Sequence, residues 1–306
     1  SEMCIRDSHW TVETSEPMIR YISRQPKEVI DELVYRIKKG QIALGGIHNS
    51  VYTEHMGFET MARLFYTPNR YVCDWLGILP SKTAFDDDVV GFTRALATYS
   101  KEADIPYFMF GRNSSIKEFD VAEDYPAFYW QAPDRDSRAT LYKIWHYYSP
   151  DRLMKYDLME ISALCRRYEA DVNYPYSCLL SEDSYDFGMP EFENVEGIYN
   201  WNKTYANPVL VSGTFDMYFD DLSSQQYKSS FPILDKDAPN AWADQDASDV
   251  EFSNLAHILH AQIPNTEKWA TISSVLSGKP FPWIDMYQAY NGLISWAEHT
   301  NLSLIH

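Results

Sequence analysis

Ile42-Ala-Leu-Gly-Gly-Ile47 is a short apolar run bounded by polar residues, and it reads as a buried β-strand. Just upstream, Pro26 stands where a first helical turn tolerates proline. Val29, Ile30, Leu33, Val34 and Ile37 then fall on one face at helical spacing, and Gly40 ends the helix. The local unit is helix then strand, and it recurs. A helix over about residues 57–66 precedes a polar stretch ending at Asp88, and a helix over about 93–103 leads into Ile105-Pro-Tyr-Phe-Met-Phe110. Phe128-Tyr-Trp130, a helix over about 150–168, Ser177-Cys-Leu-Leu180, a helix over about 195–205 and Val209-Leu-Val211 continue the series. Alternation of this kind favours a parallel sheet covered by helices and suggests a β/α barrel.

The pattern changes near residue 230. The stretch 232–249 is rich in Asp, Ala and Pro and reads as a crossing loop. Helices are expected over about 252–262, 266–277 and 283–299. The expected division is therefore an α/β domain over 9–230 and the start of a helical domain over 231–301.

Composition limits the functions available. The 306 residues are 45% hydrophobic and 15% aromatic, with 44 acidic against 26 basic side chains and a net charge of −18. This is a globular composition, not a disordered one. No run approaches the ~20 apolar residues of a membrane-spanning helix, and no Lys/Arg cluster offers a nucleic acid its counterion-releasing contacts. An uncharged or cationic ligand suits the acidic chain best. Cys73, Cys165 and Cys178 have no close spacing and suggest neither a disulfide framework nor a Cys-based zinc site.

The two ends resemble translations of one sequencing-library adapter read in its two orientations, over residues 1–8 and 302–306. Residues 9–301 are accordingly expected to be a fragment of a longer gene, which leaves cell compartment and oligomeric state open.

Chemistry concentrates in two acidic stretches. Phe85-Asp-Asp-Asp-Val-Val-Gly-Phe92 places three adjacent carboxylates between a strand and a helix, at the end of the strand where α/β barrels carry their active sites. It reads either as a solvated loop capping the helix near Thr93 or as a site whose mutual repulsion a metal ion would relieve. Ser181-Glu-Asp-Ser-Tyr-Asp-Phe187 follows the expected strand ending at Leu180. Two carboxylates from different strand ends are what glycoside hydrolysis requires, although two unrelated polar loops would look the same. His257 and His260, three apart on a helix, read as surface or boundary residues that could in principle share a metal. His48 and His55 flank a loop that could face the cavity, and His299 ends an amphipathic helix.

Taken in order, these motifs resemble glycoside hydrolase family 38, the zinc-dependent α-mannosidase group. Lys39-Gly40-Gln-Ile-Ala-Leu-Gly-Gly-Ile47, Glu59 and Arg63 resemble the family's "G-x-I" strand and "E-x-x-x-R" helix. Asp88-Val-Val-Gly-Phe92 resembles its "D-x-x-G-H" element, with Phe92 in the place of the His, and Ala103-Asp-Ile-Pro-Tyr-Phe108 resembles "A-G-I-x-Y-F". Gly111-Arg-Asn113, Trp130, Asp134, Tyr148, Tyr185-Asp-Phe187, Trp201-Asn202 and Glu298-His-Thr300 follow in the family's order.

The resemblance implies a seven-stranded β/α barrel, its first strand missing by truncation, followed by a helical bundle. It further implies a retaining glycosidase in which Asp88 is both nucleophile and Zn2+ ligand, His299 is a second zinc ligand and Asp186 is the acid/base. Arg112 and Tyr148 would contact a carbohydrate substrate. The remaining zinc ligands, a His-x-Asp pair on the first strand, would lie upstream of residue 9, so the fragment itself is expected to be inactive. Two alternatives stay open: a catalytically degenerate carbohydrate-binding relative, suggested by Phe92, and a metal-dependent carbohydrate deacetylase.

Overall fold

The computed structural model describes residues 8–87, 89, 91–111, 127–143, 157–170, 176, 178–180, 192–224, 231–238 and 250–298. In chain order the elements are β1 (Trp10–Thr11), α1 (Ser15–Ile22), α2 (Lys27–Lys38), β2 (Ile42–Ala43) and α3 (Phe58–Thr67), which continues through a π-helical stretch at Pro68–Cys73. Then come β3 (Thr83–Asp87), α4 (Leu96–Glu102), β4 (Tyr107–Gly111), β5 (Ala127–Gln131), β6 (Arg138–Lys143), α5 (Leu158–Glu169), α6 (Phe192–Thr204) and α7 (Phe215–Ser224). The last elements are β7 (Ile233–Leu234), α8 (Val250–Ser277) and α9 (Trp283–Trp296).

The architecture is α/β, but its strands do not close into a barrel among the described residues. They form a parallel pair β1-β2 and a mixed sheet in the order β3-β4-β6-β5-β7. Two glycines let these sheets approach. A Cβ on Gly45 would overlap the carbonyl of Glu13, and one on Gly46 would lie 2.8 Å from the carbonyl oxygen of Thr83. The N–H of Gly46 instead donates to that oxygen at 2.9 Å, tying the chain beyond β2 to β3.

The expected all-parallel arrangement is broken at β5-β6, which run antiparallel. Asp134 makes that hairpin: its carboxylate accepts from the backbone N–H groups of Asp136 and Ser137 and from the Ser137 hydroxyl. Arg135 takes the left-handed conformation at φ 63. A tight turn permits only antiparallel neighbours, so β6 displaces the crossover that alternation alone would suggest.

Two strands expected from apolar runs are absent among the described residues. Cys178, Leu179 and Leu180 pack as irregular chain against the α7 side of the core. Val209 and Val211 are exposed, because the Asn202 side chain takes up the backbone of Leu210 in place of a neighbouring strand: Leu210 N–H donates to Oδ1 at 2.9 Å, and Nδ2 donates to the Leu210 carbonyl at 2.7 Å. The helices expected on either side of Pro264 are one helix, α8. Contacts to α9 flank the proline, through Ile263 before it and Glu267 after it.

Strand periodicity sorts the core into two layers. Ala84, Phe108, Phe128 and Trp130 face Leu64 and Phe65 of α3, Leu96 of α4 and Ile294 of α9. Phe85, Met109 and Ala127 face Phe215, Tyr218 and Phe219 of α7. A fully buried side chain of this size contributes about 1.5–3 kcal/mol.

Candidate active site

β3 carries the acidic run, and Asp216 on α7 fixes where that strand begins. Its carboxylate accepts from the hydroxyls of Ser81 (3.0 Å) and Thr83 (2.6 Å) and from the backbone N–H of Lys82 (3.1 Å). From that anchor, alternation puts Asp86 on the same face as Ala84, and its side chain is 1% exposed.

Around Asp86 the fold gathers residues from three other places: Glu13 beyond β1, Ser50 and Val51 beyond β2, and Glu298 beyond α9. Burial pushes the Asp86 carboxyl well above the ordinary carboxylate range, and the charges of Glu13 and Glu298 push the same way. Hydrogen bonds from the Ser50 side chain and the Val51 backbone oppose the shift. The Ser50 hydroxyl also donates to Glu13 Oε1 at 2.6 Å. Ser50 thus links the Glu13 and Asp86 carboxyls through a single hydroxyl. Asp86 Oδ1 has no hydrogen-bond partner among the described residues. A buried, acidic corner with an open oxygen at strand ends is a place where a cation or a proton-donating ligand is favoured.

His48, His55 and His260 are each held by neighbouring groups. His48 is fully buried, with Nδ1 2.9 Å from the Ser15 hydroxyl and Nε2 2.6 Å from Asn291 Oδ1. Burial lowers its pKa. His55 meets Tyr52 and Trp296 edge to face. His260 Nδ1 accepts from the Gly57 N–H at 3.2 Å and lies 3.0 Å from the Thr60 hydroxyl, while His257 is exposed. Among the described residues no group of three or more His, Cys, Asp or Glu is arranged to hold a metal.

Asp88, Arg112, Tyr148, Asp186 and His299 all lie outside the described residues. Their described neighbours converge in part. Asp87, which precedes Asp88, is in register with Gly111, which precedes Arg112, on adjacent parallel strands. Glu298, which precedes His299, forms a β-bridge with Val51 and acts on Asp86. The position of Phe92 is also described: it is 2% exposed in the core and paired through its backbone with Ala238.

Glu13 and Ser50 were not legible as site residues in the sequence. The strands that present them are each two residues long, too short for a period-two signal.

The profile described as "Glycosyl hydrolases family 38 N-terminal domain" matches residues 6–245. Among solved structures, an α-mannosidase from Enterococcus faecalis V583 superposes with a TM-score of 0.75 at 15% identity, over 96% of this chain and 34% of that one. A protein in glycosyl hydrolase family 38 from Enterococcus faecalis superposes with a TM-score of 0.64 at 12% identity, over 96% of this chain and 31% of that one. The chain thus spans about a third of the length of these structures, and at such identities the likeness is one of fold. No curated protein matches the sequence. With most of its length matched by that profile, the chain belongs to glycosyl hydrolase family 38 and carries that family's N-terminal domain.

Proposed function

We propose that this chain is the nucleophile-bearing part of a retaining, zinc-dependent, α-mannosidase-like glycoside hydrolase, its strands arcs of a seven-stranded barrel. The observation that carries this reading is that Glu298, just beyond α9, bridges Val51, whose backbone hydrogen-bonds Asp86 near the end of β3. The two residues next along those segments are Asp88 and His299, the nucleophile and zinc ligands that the family pattern implies. The charges of Glu13 and Glu298 both disfavour ionised Asp86, and positive charge beside this corner would relieve that repulsion. Asp88 and His299 would hold the zinc, which when bound supplies positive charge to keep the nucleophile ionised and to engage sugar hydroxyls.

The chain's own residues would then divide the reaction. The Asp88 carboxylate attacks the anomeric carbon as the bond to the leaving oxygen breaks, and Asp186 donates its proton to that oxygen. Asp186, now a carboxylate, takes a proton from water as the water's oxygen displaces Asp88, and the two inversions give net retention. Arg112 and Tyr148 would orient the sugar, and an acidic surround tolerates this neutral substrate.

The test is hydrolysis of an aryl α-mannoside by the full-length enzyme, with the product anomer read by NMR. Asp88→Ala should lower kcat by about 10³-fold or more and Asp186→Ala by about 10²–10⁴-fold, and chelation should abolish turnover. Full turnover by Asp88→Ala would overturn the assignment. A second reading, a carbohydrate-binding relative without turnover, is favoured by one observation: Phe92, in the place of the family's His, is buried among apolar residues. It expects sugar affinity without hydrolysis in the unmodified protein.

A further inference from the structure

Arg63 on α3 is 8% exposed and stands where three helices meet. Its Nη2 donates to both carboxylate oxygens of Glu267 on α8, at 2.6 and 2.7 Å. Its guanidinium carbon lies 3.7 Å from the ring centroid of Tyr290 on α9, and the Tyr290 hydroxyl donates to Glu267 Oε2 at 2.8 Å. The apolar contacts between α8 and α9, through Ala256, Ile263, Met286 and Leu293, hold the helices together without direction. A planar cation hydrogen-bonded to one helix and stacked on the other has direction, and it fixes how far α9 can slide or turn.

The position of α9 matters because its far end reaches the acidic corner. Asn291, next to Tyr290, takes the His48 ring. Beyond the helix, the Ala297 carbonyl accepts from the Tyr52 N–H at 2.8 Å, and Glu298 bridges Val51. The neighbouring Ser50 hydrogen-bonds Asp86 and Glu13.

We propose that Arg63 is a positioning residue for the active site. Through Glu267 and Tyr290 it sets α9 so that Glu298, and with it the chain entering His299, meets the Ser50–Val51 segment and the end of β3. The functional half of this inference rests on the hydrolase reading above. Arg63 lies outside the acidic corner and acts on it through α9.

The experiment compares Arg63→Met, Arg63→Lys and the milder Glu267→Gln with Leu222→Ala. Leu222 is buried on the opposite face of the sheet, and its truncation controls for lost stability. Two quantities are read at a temperature where all variants are folded: exchange of the Tyr52 amide with solvent deuterium, and kcat and KM on an aryl α-mannoside. Arg63→Met should speed Tyr52 exchange by about tenfold beyond Leu222→Ala and lower kcat by about tenfold with KM within about threefold. Arg63→Lys should not restore either, since an ammonium keeps the charge but not the planar stack. If Arg63→Met does not fold, Glu267→Gln carries the same comparison.

Unchanged Tyr52 exchange, or faster exchange with kcat equal to that of Leu222→Ala, would overturn the proposal. Absence of turnover in the unmodified full-length enzyme, or full turnover in its His299→Ala variant, would instead count against the hydrolase reading. Tyr52 exchange would then still decide whether Arg63 sets α9.

Discussion

The Tyr52 N–H and the Ala297 carbonyl oxygen lie 2.8 Å apart, a main-chain bond that joins the loop after β2 to the end of α9. The residues are distant in sequence, and their bond needs no particular side chain. It forms because the packing of α9 on α3 brings the two backbones into register. The acidic corner around Asp86 is therefore built jointly by strand ends and by a helix from the far end of the chain.

The start of β3 depends on Asp216. Removing its carboxylate strands the Ser81 and Thr83 hydroxyls and the Lys82 N–H. Asp216→Ala should cost about 1–3 kcal/mol by urea denaturation. Asp216→Asn keeps an acceptor oxygen and should cost less.

Two glycine substitutions should act in opposite directions. In Gly45→Ala the new methyl meets the Glu13 carbonyl, a backbone atom that cannot step aside, and about 1–3 kcal/mol should be lost. Gly292 lies exposed within α9 with open space where a Cβ would go. Gly292→Ala should therefore raise stability by about 0.5–1 kcal/mol. Thermal midpoints measured side by side check both signs.

Acid should weaken the link between Ser15 and α9. Burial holds the His48 pKa below its ordinary 6.5, against the opposing hydrogen bond to Asn291 and the charge of Glu16. Between the folded and unfolded pKa values the unfolded chain binds more protons, so stability rises with pH across that window and is fully present above 6.5. Burial lowers His260 in the same direction, against a backbone hydrogen bond at His55 and with the charge of His257 adding to the lowering. The raised Asp86 carboxyl acts with the opposite sign, so the His48 contribution is read as a difference: as pH drops from about 7 to about 5 the thermal midpoint of the unmodified protein should fall relative to that of His48→Gln.

Phe92→His restores the side chain of the family pattern but places an imidazole in an apolar cluster. It should destabilise the protein by about 1–3 kcal/mol and add no turnover. A gain in mannoside hydrolysis would instead identify Phe92 as the change that separates this chain from active relatives.

Much of the fold was legible because helical periodicity is local. The apolar face from Val29 to Ile37 marks α2, and the expected helix near residues 57–66 coincides with α3. β4 and β5 were legible as apolar runs. β6 was missed, because its Arg-Ala-Thr-Leu-Tyr-Lys sequence is too polar to stand out without the Asp134 turn that pairs it. Val209-Leu-Val211 misled for the converse reason: an apolar run says nothing about an Asn202 side chain waiting to satisfy its backbone.

By itself the sequence determined the family, through short motifs whose order survives where overall identity does not, and it determined helices such as α2, α3 and α6, whose spacing is set within a few turns, while α1 and α7 went unread. It named Asp88, Asp186 and His299 by pattern alone. Only the tertiary structure decided that β5 and β6 run antiparallel, that α8 passes through Pro264, and that Glu13, Ser50, Asp86 and Glu298 share one corner. Those outcomes depend on contacts between residues far apart in the chain, whose free energy is settled by which surfaces the whole fold brings together, and no local period records it.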